Sequence, residues 1–411
     1  MALAAPTPAA APPAHRRGAV AIVAPTGAGD LYVPALAQHG WGAVAVTVPG
    51  ADPSGAADAY SRVVAHRASV RRTAQQLADL GVQAILTGSP AGTVLAERLA
   101  ARLHLPGNDP DTAAIRRDTG LTSAALLAAG ITAPRSIRTT RLSEALEWSA
   151  FTQVPELVLE HPDPVNQAST LCHTPADIRS AWKAIHHSGS QPLVLREHLP
   201  GTQYLIHTLT GPSVDGSTDH TITSIWSELR TPHQQGNRFD LLNRRGLLAR
   251  ALALYTMRVL TALGVRYGPA HAVVTFIPDR GPALLSLRTD PYADVDSEAL
   301  RQVTGHDPIR DTALLLTSGQ RHTIPHQQRH AHVTKVALVP QSDGLLDPYL
   351  VRTLTTLPTV TATTGLHAGD SVRAGHVAGW LLLVADDSRA IDQDHRVIRA
   401  AEHLGLYGSP A

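Results

Sequence analysis

Through its first hundred residues the chain alternates short apolar runs with amphipathic stretches. Gly18 to Pro25 is a Val- and Ile-bearing run that stops at Pro25-Thr26-Gly27-Ala28-Gly29, and a helical pattern begins near Leu31. A second run, Ala43 to Val48, ends at Pro49-Gly50, and a helix-like stretch from Ser69 to Leu80 leads to a third run, Ala84 to Thr87. Gly88-Ser89 then opens another helix through Leu103. Buried strands separated by helices at this spacing predict a parallel sheet covered by helices, a small Rossmann-like α/β unit.

Farther on, Leu121 to Ala129 reads as a helix closed by Gly130. Leu157 to Glu160 and Leu193 to Glu197 read as strands around a helix near Ala176 to Ile185. Tyr204 to Leu209 and Thr221 to Leu229 flank a Gly-, Asp- and Ser-rich turn and predict a hairpin. From Gly246 to Leu263, Leu247, Leu248, Ala251, Leu252, Tyr255, Val259 and Leu263 recur at helical spacing. The region from about His330 onward carries strands at Val333 to Val339 and Trp380 to Val384 and a helix near Arg396 to Leu404. No repeat of fixed period is present.

At 411 residues, 43% of them hydrophobic, the chain is long enough for two or three packed domains. Its formal net charge of +1 gives no electrostatic case for nucleic acid or an acidic membrane surface, which leaves small molecules or proteins as partners. The single cysteine, Cys172, excludes an intramolecular disulfide and a Cys-rich zinc site. No run approaches the roughly 18–20 apolar residues of a membrane helix. Residues 1–17, rich in Ala and Pro, read as a flexible tail, and the expected location is cytoplasmic. Nearly all basic residues are arginine, and the only lysines are Lys183 and Lys335. Gly27 and Gly29 hint at a dinucleotide fingerprint, but the third glycine and the acidic strand end are missing, so the turn reads as a strand-to-helix link. His186-His187 and His326 through His332 either hold a transition metal or are incidental surface histidines.

Six phrases carry a family resemblance. They are Gly107-Asn108, Arg116-Arg117-Asp118-Thr119, Ala129-Gly130-Ile131, the segment Leu193 to Tyr204 with Pro200-Gly201-Thr202-Gln203, Gly268-Pro269-Ala270-His271 and Gly281-Pro282. In this order they resemble the ATP-grasp superfamily, most closely its carboxylate–amine ligases that couple amino acids in bacterial specialised metabolism, antibiotic biosynthesis included. The resemblance implies an α/β (α+β) ATP-grasp fold. Behind the tail come a Rossmann-like preATP-grasp domain at 18–105, a two-lobed grasp domain at 106–328 and a small C-terminal subdomain at 329–411. It also implies a chemistry in which ATP phosphorylates a carboxylate and an amine attacks the acyl phosphate, a reaction that needs cations on the phosphates and hard oxygen ligands for magnesium.

On this alignment the two phosphate lysines fall at Thr119 and His161, and the glycine-rich loop falls at Asp163 to Ser169, which has no glycine. The glutamate of the family's Gly-Thr-Glu-Tyr phrase falls at Gln203, the metal carboxylates at Val273 and Ser286, and the arginine beyond them at Asp290. The leading expectation is therefore a ligase-like protein that has lost ATP- and Mg-dependent ligation, with no metal and no cofactor. It binds or acts on a small carboxylate-bearing substrate in the interdomain cleft. The alternatives are an active ATP-dependent ligase with unusual nucleotide contacts, using ATP and Mg, and a non-catalytic partner of an active ligase; a homodimer is also open. His271 is read as a general acid or base, or as an ordinary strand histidine. Arg288 is read as a carboxylate clamp, or as the ion-pair partner of Asp290 or Asp294. Asp290, Gln203 and His161 are substrate-binding candidates, and Glu197 and His198 mark a vestigial nucleotide hinge.

Overall fold

The computed structural model describes residues 17–49, 57–166, 169–186, 191–213, 215–231, 234–292, 294–295, 297–320 and 331–408. The tail up to residue 16, Gln167, Ala168, His187 and the histidines at 326 and 330 lie outside the described residues.

The amino-terminal unit is a four-stranded parallel sheet in the order Arg62–Ala65, Gly42–Thr47, Ala19–Val23, Val82–Thr87. Three of these strands are the apolar runs of the sequence. The edge strand Arg62–Ala65 buries only Val64, so its pattern carried no strand signal. Helices Val70–Asp79 and Thr93–Arg102 cover one face. The other face is sealed by Tyr32, Ala35 and Leu36 together with Ile309, Ala313 and Leu316 of the distant helix Pro308–Ser318. The glycines of the strand ends serve close packing: a Cβ on Gly29 would lie 2.6 Å from the Gly88 carbonyl oxygen, and one on Gly92 would lie 2.2 Å from that of Val23.

Residues 136–197 form the small lobe, an antiparallel sheet in the order Ser136–Thr139, Leu193–Glu197, Leu157–Glu160, Ser169–Cys172. Helices Leu142–Thr152 and Pro175–Ile185 pack on it around Leu159, Trp182 and Leu195. Thr174 and Asp177 form a capping box that fixes where the second helix starts.

The large lobe is an eight-stranded antiparallel sheet. Its strands run in the order Gly281–Arg288, Gly268–Ile277, Thr202–Pro212, Thr218–Thr231, Gln234–Leu241, His332–Leu338, Gly379–Ala385, Val360–Thr364. Its back face, with Ile206, Ala270, Ala272, Val274 and Leu284, packs on helix Leu247–Ala262. The last three strands come from the region expected to be a separate C-terminal subdomain. That region has its own core around Leu354, Leu381 and Ile398, but it completes the large sheet. The final helix is Ser388–His403, begun by the Asp387 cap well before the expected Arg396.

Arg116 joins three parts of the molecule. Its Nη2 lies 2.8 Å from Glu97 Oε2 in the amino-terminal unit, and it donates to the Asp109 carbonyl at 2.9 Å and to the Leu263 carbonyl at 3.1 Å. Asn108 Oδ1 accepts from the backbone N–H groups of Arg266 and Tyr267 at 2.8 and 3.0 Å. The Gly-Asn and Arg-Arg-Asp phrases thus lock the domains together.

Candidate functional site

Side chains directly opposite each other in an antiparallel pair share a face. In the large sheet His271 stands opposite both His207 and Arg288, Val273 opposite Leu205 and Ser286, and Thr275 opposite Gln203. The front face therefore collects Gln203, His207, His271, Val273, Ser286 and Arg288. The two family metal positions meet across the hairpin as Val273 and Ser286 and supply no carboxylate. Among the described residues no group of three or more His, Cys, Asp or Glu is placed to hold a metal ion.

The structure bears on two expectations on this face. Of the two readings of Arg288, it shows the ion pair, because Nε and Nη2 donate to Asp290 Oδ1 and Oδ2 at 2.9 and 2.5 Å. His271 does not titrate near neutrality; burial, only partly offset by Asp290, pushes it down to about 4. It is thus a neutral imidazole at pH 7, able to accept or donate a hydrogen bond but not poised as an acid.

Neighbours that the sequence did not mark complete the cluster. His207, 2% exposed, is likewise held neutral by burial and by Lys335. Tyr292 stacks on it with ring centroids 3.5 Å apart, and the Tyr292 hydroxyl lies 3.3 Å from Thr223 Oγ1. Lys335, fully buried, pairs with Asp294 and sits 4.8, 5.2 and 5.4 Å from the rings of Trp226, Phe239 and Trp380. Two signals pointed here: Lys335 is one of two lysines and lies in an apolar strand, and Asp290, Tyr292 and Asp294 alternate along the chain.

The positions aligned with phosphate contacts lie in the small lobe. Thr119 Oγ1 donates to Glu160 Oε1 at 2.9 Å, and Glu160 Oε2 accepts from Arg196 Nε at 3.0 Å. Arg138 Nε donates to Asp118 Oδ2 at 2.6 Å, and Arg117 Nη2 to Asp163 Oδ2 at 2.5 Å. His161 Nδ1 accepts from the Asp163 backbone N–H at 3.1 Å. Three arginines of the described residues, Arg196, Arg138 and Arg117, are thus each matched by a carboxylate, Glu160, Asp118 and Asp163.

At the hinge, strand Leu193–Glu197 passes through His198–Gly201 directly into Thr202–Pro212. Glu197, 3% exposed, accepts from Arg135 Nε at 3.1 Å and from Arg280 Nη2 at 2.9 Å. Burial opposes its charge, but the hydrogen bonds from Arg280 and Arg135 outweigh it and hold the carboxyl below its ordinary range. Because Arg280 lies in the turn of the large-lobe hairpin, Glu197 ties the two lobes together. His198 Nδ1 lies 2.8 Å from Glu156 Oε2. The hinge residues expected to mark a nucleotide slot are thus engaged with protein partners. His186 stacks on Trp182 at 5.6 Å.

No known family model matches the chain. Over 304 residues, 68% of this chain and 69% of the relative, it is 24% identical to dapdiamide A synthase of Enterobacter agglomerans. The structure superposes on an L-amino acid ligase from Bacillus licheniformis with a TM-score of 0.76 at 14% identity, covering 94% of this chain and 98% of that one. A carboxyaminoimidazole ribonucleotide synthase from Aspergillus clavatus, complexed with ATP, matches with a TM-score of 0.74 at 11% identity over 95% and 100% of the two chains. No helix among the described residues is long and apolar enough to cross a membrane. By its superposition on these structures the chain has the ATP-grasp fold, and it is similar to carboxylate–amine ligases.

Proposed function

We propose that this protein binds or transforms a small carboxylate-bearing molecule on the front face of the large sheet, without magnesium–ATP phosphoryl transfer. One observation supports the proposal: Val273 and Ser286, the positions that the family alignment gives to the two metal carboxylates, stand opposite each other across the hairpin. An alkyl group and a neutral hydroxyl do not replace the hard, charged oxygens that draw Mg²⁺ out of water. The paired arginines of the small lobe support the same reading, because a polyanion there would have to displace Glu160, Asp118 and Asp163 from their partners. The similarity to a synthase of dapdiamide A favours a place in specialised metabolism.

A second reading, an ATP-dependent ligase with unusual nucleotide contacts, draws on the same relatives, an L-amino acid ligase and a synthase crystallised with ATP. Calorimetric titration with ATP, with and without Mg²⁺, separates the two, together with an assay of ADP release in the presence of amino acid pairs. The first reading expects no magnesium-dependent binding and no ADP. Micromolar, magnesium-dependent binding with amino acid-dependent ADP release would replace it with the second.

A further inference from the structure

We propose that the ring N–H groups of His207 and His271 form a carboxylate-binding subsite on the front face of the large sheet, covered in this structure by the ring of Tyr292. The inference rests on the reading above that the ligand bears a carboxylate. It goes further by moving the carboxylate away from Arg288 and onto the imidazoles.

The starting point is a set of unmatched polar atoms. Nδ1 and Nε2 of His207 and Nδ1 of His271 are buried with no hydrogen-bond partner among protein atoms. A neutral imidazole always carries one N–H, so His207 leaves a buried donor unpaired in either tautomer, and His271 does so when its proton is on Nδ1. The two rings stand at directly opposed positions of neighbouring strands, their centroids 6.0 Å apart and their planes at 83°. An edge-to-face arrangement of this kind lets both rings aim a donor at one guest.

Charge selects the guest. With His271 neutral, the charge acting on His207 is that of Lys335, and its positive sign favours an anion at this ring; His271 feels Asp290 and Asp294 as well as Arg288 and Lys335. A metal cation meets the opposite field and lacks a third His, Cys, Asp or Glu ligand among the described residues. Arg288, the other donor suited to a carboxylate, already holds Asp290 through two hydrogen bonds. The imidazole pair is a further donor set on this face, and His207 is without a protein partner at either nitrogen.

Access runs past Tyr292. Its ring lies flat on His207 at 3.5 Å and edge-on to His271 at 5.7 Å, so the phenol covers the space a ligand would use. Asp290 and Asp294, two residues to either side of it in sequence, pair with Arg288 and Lys335. Swinging this one side chain aside uncovers both imidazoles.

The test uses full-length protein labelled with ¹⁵N at histidine, titrated with acetate as the probe and with acetamide and methylammonium as neutral and cationic controls. Acetate is expected to move the ring nitrogens of His207 and His271 saturably, and at least tenfold more tightly than either control. Tyr292→Ala, by uncovering the rings, should tighten acetate binding, a direction that general damage to the fold does not produce. His207→Gln should abolish the response at His271. Acetate no better than acetamide, or weakened rather than tightened by Tyr292→Ala, overturns the subsite. Saturable acetate binding that His207→Gln leaves intact overturns this assignment while the carboxylate reading stands. Magnesium-dependent ADP release would remove the ATP-independent reading and leave an acetate response at His207 in force.

Discussion

Arg116→Met should destabilise the protein by about 3–5 kcal/mol at neutral pH, the range for breaking a buried ion pair from one side. The side chains of Arg116 and Glu97 are 2% and 4% exposed, so the carboxylate left behind loses its charged partner in a largely buried place. The carbonyl oxygens of Asp109 and Leu263 lose a charged donor as well, which favours the upper part of the range. The pH dependence has a definite sign. Burial already raises the Glu97 pKa, and Arg116 opposes that rise. A carboxyl whose folded pKa lies above its unfolded value contributes stability below the unfolded pKa and loses it as pH rises through the folded one. Removing the arginine raises the folded value further, so the deficit of Arg116→Met should be larger at pH 8 than at pH 5. Adding Glu97→Gln should recover roughly 2–3 kcal/mol, because the buried charge is gone. Urea unfolding followed by tryptophan fluorescence at both pH values provides the measurement. A loss below about 1 kcal/mol, or a double variant no more stable than the single one, would refute the hub.

Three further outcomes are expected. Arg280→Gln should loosen the small lobe, seen as faster amide exchange in Leu193–Glu197; because the Glu197 carboxyl is held below its ordinary range, the stability it contributes is present above the unfolded carboxylate pKa and fades as pH falls through the folded one. Gly92→Ala should cost about 1–3 kcal/mol or more in thermal unfolding, since the new Cβ would sit 2.2 Å from the Val23 carbonyl oxygen in the closed amino-terminal core. Val273→Glu combined with Ser286→Glu should create Mn²⁺ binding, measured by electron paramagnetic resonance, that the parent protein lacks; equal binding by both would mean that the metal is held elsewhere.

Much of the architecture was written in local patterns. The buried parallel strands announce themselves as unbroken apolar runs, and helix Leu247–Ala262 announces itself by its spacing. The six ordered phrases carried the family resemblance because several of them perform structural work visible here, as Asn108 and Arg116 do between domains. Arg62–Ala65 was hidden because an edge strand needs only one buried residue. The polar cluster was harder to read. His207 looks like any histidine in a strand until the fold sets it opposite His271 and under Tyr292, and the low pKa of His271 comes from burial that only tertiary packing creates. Arg288 and Asp290 were both singled out, yet whether they face a ligand or each other depends on a turn of two residues whose geometry no spacing rule supplies.

The sharing of one sheet between the grasp region and the carboxyl-terminal segment limits how this chain can be divided. Cutting after residue 328 would strip three strands from the sheet and turn Gln234–Leu241 into a raw edge. It would also remove Lys335, the partner of Asp294, together with Trp380, one of the three rings around that lysine. Such a fragment would present unpaired backbone groups beside exposed aromatic surface, the profile of a chain that associates with its own copies before it folds. The last eighty or so residues are therefore part of the large lobe's sheet, and recombination with a relative would have to exchange the entire sheet as one module.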